Sequence, residues 1–186
     1  MKHSLRISLL IGVATCAVAA CLVTSAPVFS QMSMQTSSQT TALTGSQKAF
    51  NTVKTLPGTW DGKDQTGRSV KVSFKVTSGG SAIMSEILGD GPEDMVSMFS
   101  MDGPGRLVMT HYCSAGNQPR MLASVSPDGK VLTFTYLDAT NLATPDAGHM
   151  QRMVLTLVDD NHHIEEWTFN DHGKEMKKVF DLRRQM

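Results

Sequence analysis

From Ser69 to Thr77 the chain alternates without a break. Val70, Val72, Phe74 and Val76 fall on one side, and Ser69, Lys71, Ser73 and Lys75 on the other. A period of two predicts a half-buried antiparallel strand. The same period runs through Ser81–Leu88, Met95–Met101, Arg106–Cys113, Gln118–Val125, Val131–Leu137, His149–Val158, His162–Phe169 and Glu175–Leu182, with a first short strand at Thr59–Lys63. Turn chemistry separates these segments: Gly79-Gly80, Gly89–Asp94, Asp102–Gly105, Ser114–Asn117, Ser126–Gly129, Asp159–Asn161 and Asn170–Gly173. The longest connection is 138–148. About ten strands joined by hairpin-length turns predict an all-β protein. An up-and-down meander closed into a barrel is favoured because closure removes sheet edges.

One segment before the strands has a different period. Ala49, Phe50, Val53 and Leu56 recur at helical spacing within Ser46–Leu56. This predicts a short helix capped by Ser46 and ended by Pro57-Gly58.

The chain has 186 residues, and its beginning does not read as fold material. Lys2 and Arg6 precede an uncharged Ala- and Val-rich run, Ile7–Val23, which predicts a secretory signal. Two processing readings stay open. Val28-Phe29-Ser30 suits cleavage before Gln31, giving a signal peptide over 1–30. Val18-Ala19-Ala20-Cys21 suits a lipoprotein signal ending before Cys21, which would then carry a lipid anchor. Either way the expectation is export, to the periplasm or beyond the cell, with an outer-membrane lipoprotein as one form. Residues 31–45 are rich in Ser, Thr and Gln and predict a disordered linker. Residues 46–186 are then a single domain, long enough for a substantial core.

Charge narrows the partners. The whole chain is neutral, and removal of Lys2 and Arg6 leaves two more acidic than basic residues. Without a basic stripe, nucleic acid is not an expected partner. Membrane contact would come only through an anchor at Cys21. Of three cysteines, Cys16 and Cys21 lie in the signal, so Cys113 stands alone in the domain and no internal disulfide can form.

The densest chemistry is Thr110-His111-Tyr112-Cys113-Ser114-Ala115-Gly116-Asn117-Gln118-Pro119-Arg120-Met121. If Leu107 and Met109 face inward, alternation brings His111 and Cys113 with them. Arg120, on the next strand, is expected near His111. There it would meet a ligand's acidic group or pair with Glu86 or another carboxylate inside the barrel. Glu86 is placed inward with Ala82, Met84 and Leu88. Glu165 and Glu166 straddle both faces of their strand, so one of them should be inward, and Glu166 is taken as the candidate. With His149 these residues form the candidate ligand-binding set: His111, Arg120, Glu86, Cys113, His149 and Glu166. An enzyme using His111 with Glu86 or Glu166 is the alternative. The sequence has no Gly-x-Ser-x-Gly, His-Glu-x-x-His or Cys-x-x-Cys motif. A metal site from His111, His149 and Glu166 has no local signature, and no metal is expected. The chain holds thirteen methionines, and those on the strands suit a cavity that accepts varied apolar or amphiphilic molecules.

Gly58-Thr59-Trp60 after a short helix resembles the opening of the lipocalin and fatty-acid-binding-protein-like calycin barrels. The resemblance implies that an arginine just past the last strand packs over Trp60 and closes the barrel end, a role assigned to Arg183 within Phe180–Arg184. The Thr110–Met121 block, Asn141-Leu142, His149-Met150 and Phe180–Leu182 also resemble a family of exported bacterial proteins with a domain of unknown function. That likeness implies a calycin-like barrel and brings no activity with it. Some small barrels that open with Gly-x-Trp-x-Gly bind haem through a histidine near the C-terminus. Gly58–Gly62 matches, but Lys63-Asp64 departs from that pattern and His172 falls in a turn. No cofactor is expected, with haem as the alternative to test.

Overall fold

A computed structural model describes residues 43–88 and 94–186. The signal-peptide and lipid-anchor expectations, and nearly all of the predicted linker, lie outside the described residues, as does most of the Gly89–Asp94 turn.

The described residues form one α-helix, α1 (Gly45–Val53), and ten strands: β1 (Gly58–Asp64), β2 (Ser69–Thr77), β3 (Ala82–Leu88), β4 (Met95–Met101), β5 (Leu107–Tyr112), β6 (Gln118–Val125), β7 (Val131–Thr140), β8 (His149–Asp159), β9 (His162–Asp171) and β10 (Lys174–Arg184). Every strand pairs antiparallel with its sequence neighbours. β1 also pairs with β10, which closes the barrel.

The β1–β10 seam explains two glycines of the opening motif. Gly62 lies opposite Leu182, and a Cβ there would come within 1.8 Å of the Asp181 carbonyl oxygen. Gly58 has φ +131°, a conformation that L side chains rarely adopt. Beyond Asp64, where β1 ends, the Gln65 side chain continues the seam. Its Nε2 donates to the Lys177 carbonyl (3.0 Å), and its Oε1 accepts from the Val179 amide (2.9 Å).

Strand direction gives the barrel two unlike ends. The β2–β3, β4–β5, β6–β7 and β8–β9 turns gather at one end with α1. The cap of α1 is Thr44, two residues before the expected Ser46. Its hydroxyl accepts from the Gln47 amide, and the Gln47 side chain accepts from the Thr44 amide. Ser46 Oγ donates instead to the Gly105 carbonyl (2.7 Å), tying the helix to the β4–β5 turn. Ala49, Phe50, Val53 and Leu56 are all buried, as their spacing predicts. They plug this end.

Above the plug the interior is filled. Phe99 stacks edge-on with Phe134 at 5.4 Å and lies 6.4 Å from Phe74. Trp60 meets the His163 ring at 4.2 Å. Leu107, Met109, Met121, Leu132 and Leu155 complete this fully buried layer.

On β3 the sequence expectation is reversed. Ile83, Ser85 and Ile87 face the core, and Glu86 lies on the outer surface with Leu88. The cause is the register with β2, which sets Ile87 beside buried Val72 and Ser85 beside buried Phe74. Both faces of Ala82–Leu88 are largely apolar, so alternation alone does not choose between them.

Candidate functional site

The other end of the barrel carries the β1–β2, β5–β6, β7–β8 and β9–β10 connections, and here the interior opens into a cavity of about 470 Å3. Met95, Met150 and Met176 contribute to its wall from β4, β8 and β10. Phe169 and Phe180 add aromatic surface, and Trp167 lines the inner part. Cys113 and the two residues after it form part of the rim.

The lip is built by the block that is densest in the sequence. Cys113–Asn117 forms the β5–β6 turn, in which the Cys113 amide donates to the Asn117 carbonyl (3.1 Å) and the Gly116 amide to the Cys113 carbonyl (2.9 Å). The β7–β8 loop latches onto this turn. Asn117 Nδ2 donates to the Gly148 carbonyl (2.8 Å), and Asn141 Nδ2 donates to the Gly116 carbonyl (2.6 Å). Gly148 packs so closely on Phe169 that an added Cβ would sit 2.9 Å from its ring. The separate sequence features Gly116-Asn117, Asn141 and Gly148-His149 thus form one interlocked edge of the cavity.

Beneath the cavity lies a buried polar layer. Trp167 Nε1 donates to Glu165 Oε2 (2.9 Å), and Glu165 Oε1 faces His163 Nε2 at 3.2 Å. All three residues are buried on β9. Against the Trp167 ring lies His111, with ring centroids 4.9 Å apart. His111 Nδ1 bonds Ser97 Oγ (2.9 Å), its cross-strand neighbour on β4. Ser85 follows in the same row on β3. Two consecutive inward serines leave room for the imidazole. His111 Nε2 has no partner, and burial lowers its pKa from 6.5 to about 4, so the ring is neutral at ordinary pH.

The structure places the expected site residues as follows. His111 is inward and lies against Trp167, which lines the cavity while His111 does not. Cys113 is on the cavity rim, and desolvation pushes its thiol above the ordinary pKa, against a weaker opposing hydrogen bond from the Ala115 amide. Arg120 is outside. The turn sets it opposite Thr110, which shares the outer face with Tyr112. There Arg120 forms a two-pronged pair with Asp138 of β7, Nε donating to Oδ1 at 2.6 Å and Nη2 to Oδ2. Hydrogen bonding to Arg120 holds the Asp138 carboxyl below its usual range. Glu86 is also outside, accepting from Ser73 Oγ (3.2 Å). Glu166 is exposed, and it is Glu165 that faces inward. His149 is buried at the start of β8 but does not line the cavity. Its Nδ1 lies 2.7 Å from the Ala147 carbonyl and Nε2 3.0 Å from Gln151 Oε1, with Tyr136 stacked at 4.5 Å.

His111 is therefore not joined by Glu86, Glu166, Arg120 or His149. Among the described residues no group of three or more His, Cys, Asp and Glu could hold a metal ion. The histidine considered for haem, His172, is exposed in the β9–β10 turn and bonds Asp171 (2.7 Å). No described residue lining the cavity is a histidine. The residues present thus do not fit histidine ligation of haem in this cavity.

Trp167, Glu165 and His163 lie outside the candidate set drawn from the sequence, which takes Glu166 of the adjacent pair in place of Glu165; Ser97 and, on the cavity wall, Lys178 are absent from it as well. A signal for the first three exists in His163-x-Glu165-x-Trp167, three polar-capable side chains on one face of a strand. Barrel closure also resolves differently: Arg184, not Arg183, lies over Trp60, 4.2 Å from the ring centre. Trp60 is opposite Arg184, and Arg183 is opposite Asp61 on the outer face.

The fold and site define a closed ten-stranded up-and-down barrel, plugged at one end and cupped at the other. Neither a family model nor a curated protein sequence matches the chain. Among solved structures it is similar to the crystal structure of Rv2717c from M. tuberculosis, with a TM-score of 0.53 and 16% identity, over 74% of this chain and 98% of that one. It also aligns with a redesigned β-barrel at a TM-score of 0.33 and 16% identity, over 72% of this chain and 95% of that one. The first likeness shows a shared fold.

Proposed function

We propose that this protein is an exported, calycin-like barrel that binds a small, mostly apolar molecule in the cavity at its open end. The observation that carries the reading is the cavity of about 470 Å3, walled by methionine and aromatic side chains in a barrel whose other half is filled. Cavities of this size accommodate small ligands. Three thioethers from three strands make the wall adaptable in shape. Lys2, Arg6 and the apolar run to Val23 support export, and Cys21 supports a lipid-anchored form.

The alternative, an enzyme built on His111, finds no support in the geometry. The carboxylates expected to assist it are on the outer surface, and His111 is not among the residues lining the cavity.

The test is a titration of the purified protein with an apolar fluorescent probe, compared with a variant in which Met150→Trp fills the cavity. Saturable binding lost in the filled variant supports the reading. Binding that is absent, or unchanged by the substitution, refutes it. Native mass spectrometry of the purified protein checks for a molecule that survives purification.

A further inference from the structure

Two sulfur-bearing side chains meet on the inner wall of the cavity. The β4–β5 register pairs Ser97 with His111 and Val96 with Tyr112, and one further step sets Met95 opposite Cys113. Both residues line the cavity. Residues directly opposite on one face have Cβ atoms about 4.5–5.5 Å apart, so a thioether and a thiol are neighbours there. His111 lies two residues before Cys113 and shares its inward face. Its side chain is fully buried. Nδ1 is turned sideways to Ser97 Oγ (2.9 Å), and Nε2, at the ring's distal end, has no hydrogen-bond partner. A buried nitrogen without a partner is costly, and native cores leave few of them. Met95, Cys113 and His111 thus present two sulfurs and one open nitrogen from adjoining positions on two paired strands.

We propose that Cys113 Sγ, Met95 Sδ and His111 Nε2 form a binding site for a soft monovalent metal ion, Cu(I). Thioethers are metal donors outside the His, Cys, Asp and Glu set. Thiolate and thioether sulfur select Cu(I), whereas hard divalent ions take oxygen ligands. No aspartate or glutamate lines the cavity among the described residues, so the wall lacks the carboxylates that hold calcium or magnesium. On binding, the Cys113 S–H bond gives way to an S–Cu bond, the proton leaves to water and copper stays Cu(I). The ion's single charge cancels that of the thiolate. Burial pushes the free thiol's pKa up by penalising a bare thiolate, and it does not oppose the neutral metal-bound form. The Ala115 amide, which bonds the sulfur, can stay with it. With Nδ1–H donating to Ser97, the neutral His111 ring carries a bare lone pair on Nε2, the usual arrangement of a metal-ligating histidine. This goes beyond the apolar-ligand reading and does not rest on it.

The experiment is an anaerobic titration of the full chain carrying Cys16→Ser and Cys21→Ser, which leaves Cys113 as its one thiol. Cu(I) is supplied as its bicinchoninate complex, and uptake is read from the loss of that complex's colour. About one equivalent should transfer, and Ag(I), but not Zn(II), should block the transfer. Loss of even an outer-shell partner weakens metal binding by about 10–100-fold, so Met95→Leu and His111→Gln should each weaken uptake by about tenfold or more. Cys113→Ser should abolish it. His149→Gln, at a buried histidine outside the site, should leave it unchanged. No uptake by the parent overturns the proposal, as does uptake that survives Cys113→Ser. Uptake lost with the thiol but unchanged in Met95→Leu or in His111→Gln overturns it too, because the thiol then binds without a neighbour assigned to it. The parent alone can return a refuting result, and Met95→Leu nearly conserves volume, so a poorly folding variant does not shield the proposal. The apolar-probe titration tests the ligand-binding reading independently of this outcome.

Discussion

The guanidinium of Arg184 lies 4.2 Å over the indole ring of Trp60 and joins the end of the barrel to its beginning. Nη1 donates to the Pro57 carbonyl (2.7 Å), Nη2 to the Thr55 carbonyl (2.9 Å) and Nε to the Asp160 carbonyl (3.3 Å). The indole nitrogen in turn donates to the Leu56 carbonyl (2.9 Å). A single side chain thus satisfies carbonyls on the segment after α1 and on the β8–β9 turn while covering the aromatic ring. Stacking is worth about 0.5–2 kcal/mol, and hydrogen bonds to a charged group add about 1.5–3 kcal/mol each before desolvation is subtracted. Arg184→Ala is expected to cost about 2–3 kcal/mol in urea unfolding. Arg183→Ala, on the outer face, should stay within about 0.5 kcal/mol of the unmodified protein. Equal effects would place the closing contact elsewhere.

The opening motif makes a second prediction at Gly62. There is no space for a Cβ against the Asp181 carbonyl at 1.8 Å, and the contact is backbone on both sides. A side chain can be accommodated only by parting β1 from β10. Gly62→Ala is therefore expected to lose several kcal/mol, roughly 3 or more, beyond the usual range for a surface strand position. Gly67→Ala is the comparison. That glycine has open space around it but φ +87°, so only backbone strain is paid, about 1 kcal/mol. Thermal unfolding of the two variants separates close approach from conformation.

These two positions show why the architecture is legible in the sequence and the site is not. Strand order follows from turn chemistry at most connections, because a short turn leaves the chain nowhere to go but back beside itself. Helix burial follows from Ala49, Phe50, Val53 and Leu56 for the same local reason. Facing on β5 also follows, since Leu107 and Met109 are unambiguous and carry His111 with them. Facing on β3 does not, because Ile83 and Ile87 compete with Met84 and Leu88, and only pairing with Val72 and Phe74 decides. Arg120 fails for a related reason. Which residue lies opposite it is set by the five-residue Cys113–Asn117 turn, and the turn's hydrogen bonds are not readable from its composition. Glu165 and Glu166 are equivalent by pattern until Trp167 is known to need an acceptor for its indole N–H. Lys178 looks like one member of a surface charge run, Lys174 to Lys178, until Phe180 and Leu182 fix the phase of β10.

Burial of His111 makes stability depend on pH in a defined window. Its pKa falls from 6.5 to about 4 on folding because the charged ring is desolvated. Between these values the unfolded chain takes up a proton that the folded protein does not. Stability contributed by neutral His111 is therefore fully present above about pH 6.5 and is lost as pH falls toward 4. The whole window corresponds to roughly 3 kcal/mol. His111→Gln removes this titration while keeping a group that can bond Ser97. The difference in unfolding free energy between the two proteins, measured from pH 7.5 to 4, should shift by roughly that amount in favour of the variant as pH falls. A pH-independent difference would mean that His111 has the same pKa in the folded protein as in the unfolded chain.

Glu165 ties Trp167 to His163, and its effect on the cavity can be separated from its effect on stability. One carboxylate oxygen accepts from the indole nitrogen at 2.9 Å and the other faces His163 Nε2 at 3.2 Å, all within the core. A ring with its N–H held from one edge and His111 behind it has one orientation, and that orientation presents a fixed surface to the cavity. Glu165→Leu leaves two buried polar groups without partners, at a cost of about 1–3 kcal/mol each. The indole then has no reason to keep its angle. Glu165→Gln retains a carbonyl oxygen for the indole N–H. In a Trp60→Phe background Trp167 is the remaining tryptophan, so its emission reports its surroundings directly. Glu165→Gln should keep the emission maximum of the parent and bind an apolar probe within about threefold of it. Glu165→Leu should shift the emission maximum and weaken the probe by about tenfold or more. If Glu165→Leu lowers stability but leaves both emission and probe affinity unchanged, Glu165 serves the core alone and Trp167 is held by packing.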